Sequence, residues 1–192
     1  LFIFIQYIVV IIMNTRVYNR TSAIIYAKKW SLSRNPRYYN FDDIGGDCTN
    51  FISQCLFAGS NKMNNNYEHG WYYNSGYDKS PSWSGVEFLY KFLTKNKSYG
   101  PRGKIASQYE IEPGDIAQLS FDGKTFKHSL FIIDVAGTSL NNISIATHTY
   151  DALGKEIGEY DFSNIRVIHI ENVGFYHFKM YYPSFIKKRP YN

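Results

Sequence analysis

Apolar residues recur at helical spacing in three segments of the first half of the chain. The first segment, residues 21–33, predicts a helix that ends before Pro36, because the residue preceding a proline avoids the helical conformation. The second segment predicts a helix that begins after Asp47, a good N-cap residue. Gly59 is predicted to terminate this helix as its C′ residue. A third helix is predicted over residues 84–95.

The second half of the chain has the patterns of strands. Residues 116–121 and 125–135 flank Asp122-Gly123, a type I′ turn signal, and therefore predict a hairpin. Residues 143–150 and 165–170 predict two more strands. Helices come first and antiparallel strands follow, which predicts the α+β fold class.

We place this domain at residues 14–180, with one atypical stretch inside it and one at each end. Residues 61–84 are rich in Asn, Gly, Ser and Tyr and predict a long surface excursion. Residues 1–13 are apolar and uncharged, too short for a stable membrane span, and lack the basic start and small-residue cleavage site of a secretory signal. Residues 181–192 form a basic tail.

Met13, followed by a polar run, has the appearance of a natural start. We therefore expect residues 1–13 to be upstream sequence translated in frame, which makes the protein cytoplasmic. The alternative is export or membrane association through residues 1–13.

Composition narrows the possible partners. The chain of 192 residues is 44% hydrophobic and 19% charged, which is typical of a globular domain. Its 21 basic and 16 acidic residues leave a net charge of +5, too small to indicate nucleic-acid binding. Aromatic residues make up 18%, which favours a large core with surface tyrosines over an aromatic groove.

The two cysteines are both expected to be free thiols. Cys48 and Cys55 are seven positions apart on the second helix, so their Cα atoms lie about 10 Å apart, beyond disulfide range. Cys48 falls in the first turn, after Gly45 and Gly46, where free N–H groups and the helix dipole favour the nucleophilic thiolate. Its position on the apolar stripe is equally consistent with a small core residue. Cys55, in the middle of the helix, is expected to be a core residue.

A cysteine nucleophile needs a base and a group that orients the base. His128 begins an apolar strand, and His148 ends the next one, so the two can lie close together on adjacent strands. Asp151 is the alternative orienting residue. A metal site built from these three residues is disfavoured, because positions 148 and 151 of a strand point to opposite faces. We expect the remaining histidines, His69, His169 and His177, to be structural.

Several motifs resemble one family over nearly the whole chain after Met13. The chain is similar to the putative amidase domain family of Firmicutes, which is assigned to the papain-like cysteine hydrolases. The motifs that carry this resemblance are WSLSRNPRYY at 30–39, GGDCTNFISQ at 45–54, GWYY at 70–73, PGD at 113–115, HS at 128–129 and HTYD at 148–151. The resemblance implies a papain-like fold with Cys48 as nucleophile, His128 as base and His148 as the polar third residue, without a cofactor or metal.

The same resemblance implies acyl transfer from a peptide-like or cell-wall amide, peptidoglycan among the candidates. The backbone N–H of Cys48 is then the natural oxyanion donor. Tyr39, Trp71 and Trp83 are candidates for the substrate groove, although the two tryptophans are equally suited to covering the third helix. The alternative function is a non-catalytic module that binds a peptide or glycan on the same fold.

Overall fold

The computed structural model describes residues 8–107 and 109–181, and it has the predicted α+β architecture. Its helices are α1 (Arg20–Trp30), α2 (Cys48–Ser60), α3 (Pro81–Ser84) and α4 (Val86–Lys95). Its strands are β1 (Ile8–Arg16), β2 (Gly100–Ile105), β3 (Ile116–Ser120), β4 (Phe126–Val135), β5 (Ile143–Thr147), β6 (Ala152–Glu156) and β7 (Asn164–Tyr181). Two short 3-10 turns cover Leu140–Asn142 and Ile157–Glu159.

The strands form one antiparallel sheet in the order β1-β7-β3-β4-β5-β6, and β2 also pairs with β7. Alternate side chains of β4 point to opposite faces of this sheet. Phe131 and Ile133 belong to a core shared with α1, α2 and α4, whereas Leu130 and Ile132 belong to a second core on the other face. Residues of β4 that differ by one position therefore lie in different environments.

Helix α2 begins where the sequence predicts, but its end differs from the prediction. The left-handed residue that terminates it is Asn61 (φ 42°), and Gly59 lies inside the helix. A Cβ atom at Gly59 would clash with the Tyr18 ring. Glycine is therefore required there for close packing of the chain before α1 against α2, and not for a turn.

The predicted third helix is confirmed as α4, but it begins two residues later than predicted, at Val86, because the backbone of Gly85 is extended (φ −110°, ψ 127°). Ser84, its predicted first residue, instead ends the separate short helix α3.

The preceding segment, residues 61–84, is only in part the surface excursion that its composition predicts: Tyr67 and Tyr77 are exposed, but other residues of the segment reach the core. Asn64, Trp71, Ser80 and Trp83 are all buried. The polar residues of this segment satisfy its backbone groups, as when Ser80 Oγ accepts the Tyr72 N–H at 3.0 Å, and this lets the segment pack inside.

The predicted hairpin is confirmed by the pairing of β3 with β4, but its turn is not type I′. That type needs positive φ at both central residues, and only Gly123 (φ 73°) has it. The Asp122 carboxylate instead accepts the N–H groups of Lys124 and Thr125 at 2.8 and 2.7 Å. An Asx-type turn therefore closes the hairpin.

Strands β1, β2 and β6 were not predicted, and β7 is far longer than the predicted strand at 165–170. Residues 8–13, within the predicted apolar leader, are part of β1, which pairs with residues 173–181 of β7. The rest of that leader, and the tail after Tyr181, lie outside the described residues. In the described part of the chain, no helix is both long and apolar enough to cross a membrane.

Candidate active site

Cys48 is the first residue of α2, and its sulfur lies against the edge of β4. Pairing of β4 with β5 ends at Phe131 and Ala146, so Ser129 has no strand partner on that side. The Ser129 N–H donates to the Cys48 sulfur, and the Ser129 carbonyl accepts from Thr147 Oγ1 at 2.8 Å. Cys48 remains 7% exposed. Its thiol therefore occupies a fixed, nearly buried position at the strand edge.

The charge state of this thiol differs from the sequence-based expectation. Burial raises the pKa of Cys48, and the neighbouring Asp47 carboxylate raises it further. Hydrogen bonds from Ser129 and Thr49 lower the pKa but do not outweigh burial. The resting group is thus a neutral thiol, not the thiolate that the helix start predicts. Cys55 is free and fully buried, and burial raises its pKa still more clearly.

His148 pairs with Asp47, the residue before the thiol. His148 Nδ1 lies 2.6 Å from Asp47 Oδ2, and His148 Nε2 lies 2.8 Å from the Trp30 carbonyl oxygen. Carboxylate and carbonyl oxygens only accept, so both ring nitrogens donate and the contact is a buried ion pair. Phe51 stacks on the imidazole at 4.1 Å. Because both nitrogens are occupied, His148 does not orient His128 in this structure.

Asp47 occupies the N-cap position without capping the helix through its side chain. Its carboxylate instead accepts from the Phe41 N–H and from Asn50 Nδ2, both at 2.9 Å. Its own N–H donates to Thr149 Oγ1 at 2.7 Å. Thr149 has φ 57°, which is rare for a β-branched residue. Asp47 thus holds the turn after β5 against the start of α2.

Asp151, the alternative orienting residue, is bound by Arg34. Two guanidinium nitrogens of Arg34 donate to the two oxygens of Asp151, each at 2.8 Å. Arg34 also lies 2.7 Å from Asp42 and 3.7 Å from Asp47. The hydrogen bonds from Arg34 lower the pKa of Asp151. Asp151 therefore orients Arg34, and the structure does not bring it to His128.

His128 directly precedes Ser129 but faces the other side of the sheet. Ser129 Oγ lies 3.0 Å from Thr49 Oγ1 of α2, so alternation turns the His128 ring away from α2. The ring lies 6.1 Å from that of Tyr160. Among the described residues, no hydrogen bond joins His128 to Cys48 or His148. Burial, and secondly the charge of Lys155, lowers the pKa of His128 to about 4, so the imidazole is neutral at physiological pH.

Comparison with known proteins identifies the family of this chain. Residues 17–170 match the family described as putative amidase domain. The chain belongs to this family. It is also 35% identical over 138 residues to YhbB of Bacillus subtilis (strain 168), a protein described as uncharacterized. That match covers 70% of this chain but only 42% of YhbB. No solved structure matches the chain.

In this member of the putative amidase domain family, two of the three proposed groove residues are core residues. Trp71 and Trp83 are fully buried, and their Nε1–H groups donate to Ser53 Oγ at 2.9 Å and Asn50 Oδ1 at 2.8 Å. Fully buried rings cannot line an open groove, so the expectation that they bind substrate is corrected. They support α2. Tyr39 is 40% exposed and remains the predicted substrate contact.

The disfavoured metal site also lacks geometric support, since its three predicted ligands have different neighbours. Within residues 8–107 and 109–181, no group of three His, Cys, Asp or Glu side chains could hold a metal ion.

Asp47 is the site residue that the sequence analysis missed, because the sequence indicates only a helix-capping role for it. The Asp47–His148 contact joins positions 101 residues apart, so no local pattern indicates it.

The lowered pKa of His128 predicts a pH dependence of stability. The pKa is about 4 in the folded protein against an ordinary value of 6.5, so below pH 6.5 the unfolded chain binds a proton that the folded chain does not. The free energy of unfolding should therefore decrease as the pH falls from about 6.5 to about 4, by up to about 3 kcal/mol. Urea unfolding at several pH values measures this. His128→Leu should flatten the slope, whereas a matched change at the exposed His69, His69→Leu, should keep it. Equal slopes in the two variants would contradict the assignment.

Proposed function

We propose that this protein is a cysteine-dependent amide hydrolase, in which Cys48 is the nucleophile and His128 the general base. The observation that carries the proposal is the position of the thiol, at the start of α2 and against the N–H of the residue that follows His128. A thiol held at a helix start, with an imidazole on the adjoining strand, is the arrangement used for acyl transfer. Membership of the putative amidase domain family supports an amide as substrate.

The proposed reaction has two steps. The Cys48 thiol gives its proton to the neutral imidazole of His128, and the sulfur attacks the amide carbonyl carbon. The C–N bond breaks as His128 returns the proton to the leaving amine, and a thioester remains on Cys48. Water then attacks the thioester, losing a proton to His128, and releases the acid and the thiol. The first N–H groups of α2, that of Cys48 among them, are free of intrahelical partners and stabilise the oxyanion.

The proposal includes a movement of the His128 side chain. Its ring lies on the face of the sheet opposite α2, but the pairing of β4 with β5 ends at Phe131, so no residue of β5 pairs with His128 or Ser129. We propose that the imidazole reaches the sulfur around this edge of β4 when substrate is bound. A neutral resting imidazole and a neutral resting thiol fit this order, because the proton transfers only after the two groups meet.

Peptide-like amides, including peptidoglycan stem peptides, are the proposed substrate class. The order of a helix-borne cysteine followed by a strand histidine is that of papain-like hydrolases, and this supports the papain-like assignment. Tyr39 packs against Phe41 at 4.9 Å, in the loop that leads to α2. Phe41 is buried and supports Tyr39, and the exposed Tyr39 ring offers a surface against which a peptide or sugar ring can stack.

A non-catalytic binding module is the second candidate, and one observation favours it. The thiol is nearly buried, and the His128 ring does not touch it in the structure. A protein that binds a peptide or glycan near Tyr39 without turnover would need no such contact. Binding without product release in the assay described next would favour this candidate.

Alkylation and a substrate panel together test the hydrolase. Iodoacetamide near neutral pH should label Cys48 at least about tenfold faster than Cys55, because Cys48 keeps 7% of its surface exposed whereas Cys55 is fully buried. Labelling should be read by peptide mass, alongside release of products from peptidoglycan fragments and small amides. Loss of product release should follow labelling of Cys48. Equal, slow labelling of both thiols, or hydrolysis that persists after Cys48 is modified, would overturn the proposal.

A further inference from the structure

The proposed base has a buried ring nitrogen that still needs a partner. His128 is 6% exposed, and its Nε2 makes no hydrogen bond to any described residue. Buried polar atoms in native proteins nearly always have a partner. The histidine that the sequence suggests for this purpose, His148, donates to Asp47 and to the Trp30 carbonyl. The residue that orients the imidazole of His128 is therefore still to be identified.

Tyr160 is the polar residue whose ring packs beside His128. The ring centroids are 6.1 Å apart, with a 45° angle between the planes. Tyr160 Oη is also buried and likewise has no hydrogen-bond partner among the described residues. Two unpartnered polar atoms thus belong to two rings that lie side by side on the same face of the sheet.

The chain holds the Tyr160 ring in place from two directions. The backbone N–H of Tyr160 donates to the Ile157 carbonyl at 3.1 Å and closes the short 3-10 turn that precedes Tyr160. Lys155 Nζ lies 4.0 Å from the ring centroid, in a cation–π contact. These contacts fix the aromatic ring, so its hydroxyl is available at a defined place near the imidazole.

We infer that Tyr160 is the positioning residue for His128. The inference rests on the proposed function, in which His128 is the base. While the imidazole is in its resting position, Tyr160 Oη accepts a hydrogen bond from His128 Nε2–H through one water molecule, and this sets the tautomer before the side chain moves to the sulfur. This bond keeps the proton on Nε2 and leaves the lone pair on Nδ1, the nitrogen that receives the thiol proton. Asp and Asn side chains fix the tautomer in other triads by the same principle.

The charges around this pair fit the assignment. Lys155 is the cation that faces His128, and Glu159 is the acid next to Tyr160 along the chain. Burial, and secondly Glu159, raises the pKa of Tyr160, so the phenol stays neutral and keeps its proton. A neutral phenol can accept from Nε2–H without competing for the proton of the imidazole.

Nitrogen NMR of the full-length protein tests the contact without reference to turnover. With ¹⁵N-labelled histidine, the wild-type protein should show His128 in the Nε2–H form at neutral pH. Tyr160→Phe keeps the ring and its contact with Lys155 but removes the hydroxyl, and it should shift the His128 signals toward a mixture of tautomers. Tyr67→Phe, at a tyrosine that is 86% exposed, is the matched control and should leave the signals unchanged.

Kinetics then test the consequence. Tyr160→Phe should lower kcat about tenfold, the rate equivalent of one hydrogen bond, with little change in KM. Tyr67→Phe should keep both constants. Unchanged His128 signals in Tyr160→Phe would overturn the inference, even if the enzyme remained active and dependent on Cys48. Conversely, failure of the proposed function would appear as hydrolysis that is independent of Cys48, and the NMR result would still stand on its own.

Discussion

Replacing Cys48 with alanine should abolish amide hydrolysis, lowering kcat/KM at least about a thousandfold. The sulfur is the atom that bonds to the substrate carbon in the proposed mechanism, and alanine has no nucleophilic atom in its place. Alanine removes one nearly buried atom from the start of α2, so the fold should persist. Product release by mass spectrometry measures activity, and circular dichroism checks the fold.

Cys55 provides the internal control for this variant. It lies on the same helix, is fully buried and has no role in the proposed reaction, so Cys55→Ala should retain activity within about twofold. Its expected cost is a loss of packing, visible as a lower free energy of unfolding. If Cys55→Ala and Cys48→Ala lost activity equally, a general loss of structure would explain both results, and the nucleophile would not be identified.

The elements that the sequence predicts well are those with a local signal. Helix α2 begins directly after its N-cap residue Asp47, and the β3–β4 hairpin forms around Asp122-Gly123. The Asn61 terminus of α2 was missed because Gly59, a stronger signal, is used for packing against Tyr18. A glycine marks either a turn or a close approach, and periodicity alone does not distinguish them.

The missed strands have weak or misleading local patterns. Strand β2 contains Gly100 and Pro101, residues that are depleted in strands, and it is tolerated because it pairs on one side only, with β7. Strand β1 begins with a continuous apolar run, residues 8–13, which cannot be told from a leader by periodicity. Its pairing with the end of β7 joins residues more than 150 positions apart. Such pairing is a property of the tertiary fold, not of either segment.

The features of the candidate site also differ in how well the sequence predicts them. The local sequence pattern predicts that Cys48 lies at the start of a helix, and in the structure it is the first residue of α2. The roles of the histidines depend on which face of the sheet each ring occupies, and a shift of one position reverses that face. His128 therefore lies beside Tyr160 and not against α2 in the structure, and His148 pairs with Asp47. The thiol pKa likewise depends on burial, which outweighs the dipole of the helix.

Replacing Asp47 with alanine should lower the free energy of unfolding by about 3–5 kcal/mol. Both members of the Asp47–His148 pair are buried, so the variant leaves an imidazolium without its carboxylate in the interior. The Phe41 N–H and Asn50 Nδ2 lose an acceptor as well. Asp42→Ala is the control, since Asp42 pairs with Arg34 at a partly exposed position and should cost no more than about 1 kcal/mol. Chemical denaturation at pH 7 measures both.

A second substitution separates the ion pair from the other contacts of Asp47. His148→Phe, placed in the Asp47→Ala background, removes the unpaired charge and keeps an aromatic ring against Phe51. It should recover part of the lost free energy, because a buried pair replaced on both sides costs less than one that is broken. The two changes should therefore be strongly non-additive. Additive costs would mean that no buried charge depends on Asp47, and the start of α2 would then be held by the backbone contacts alone.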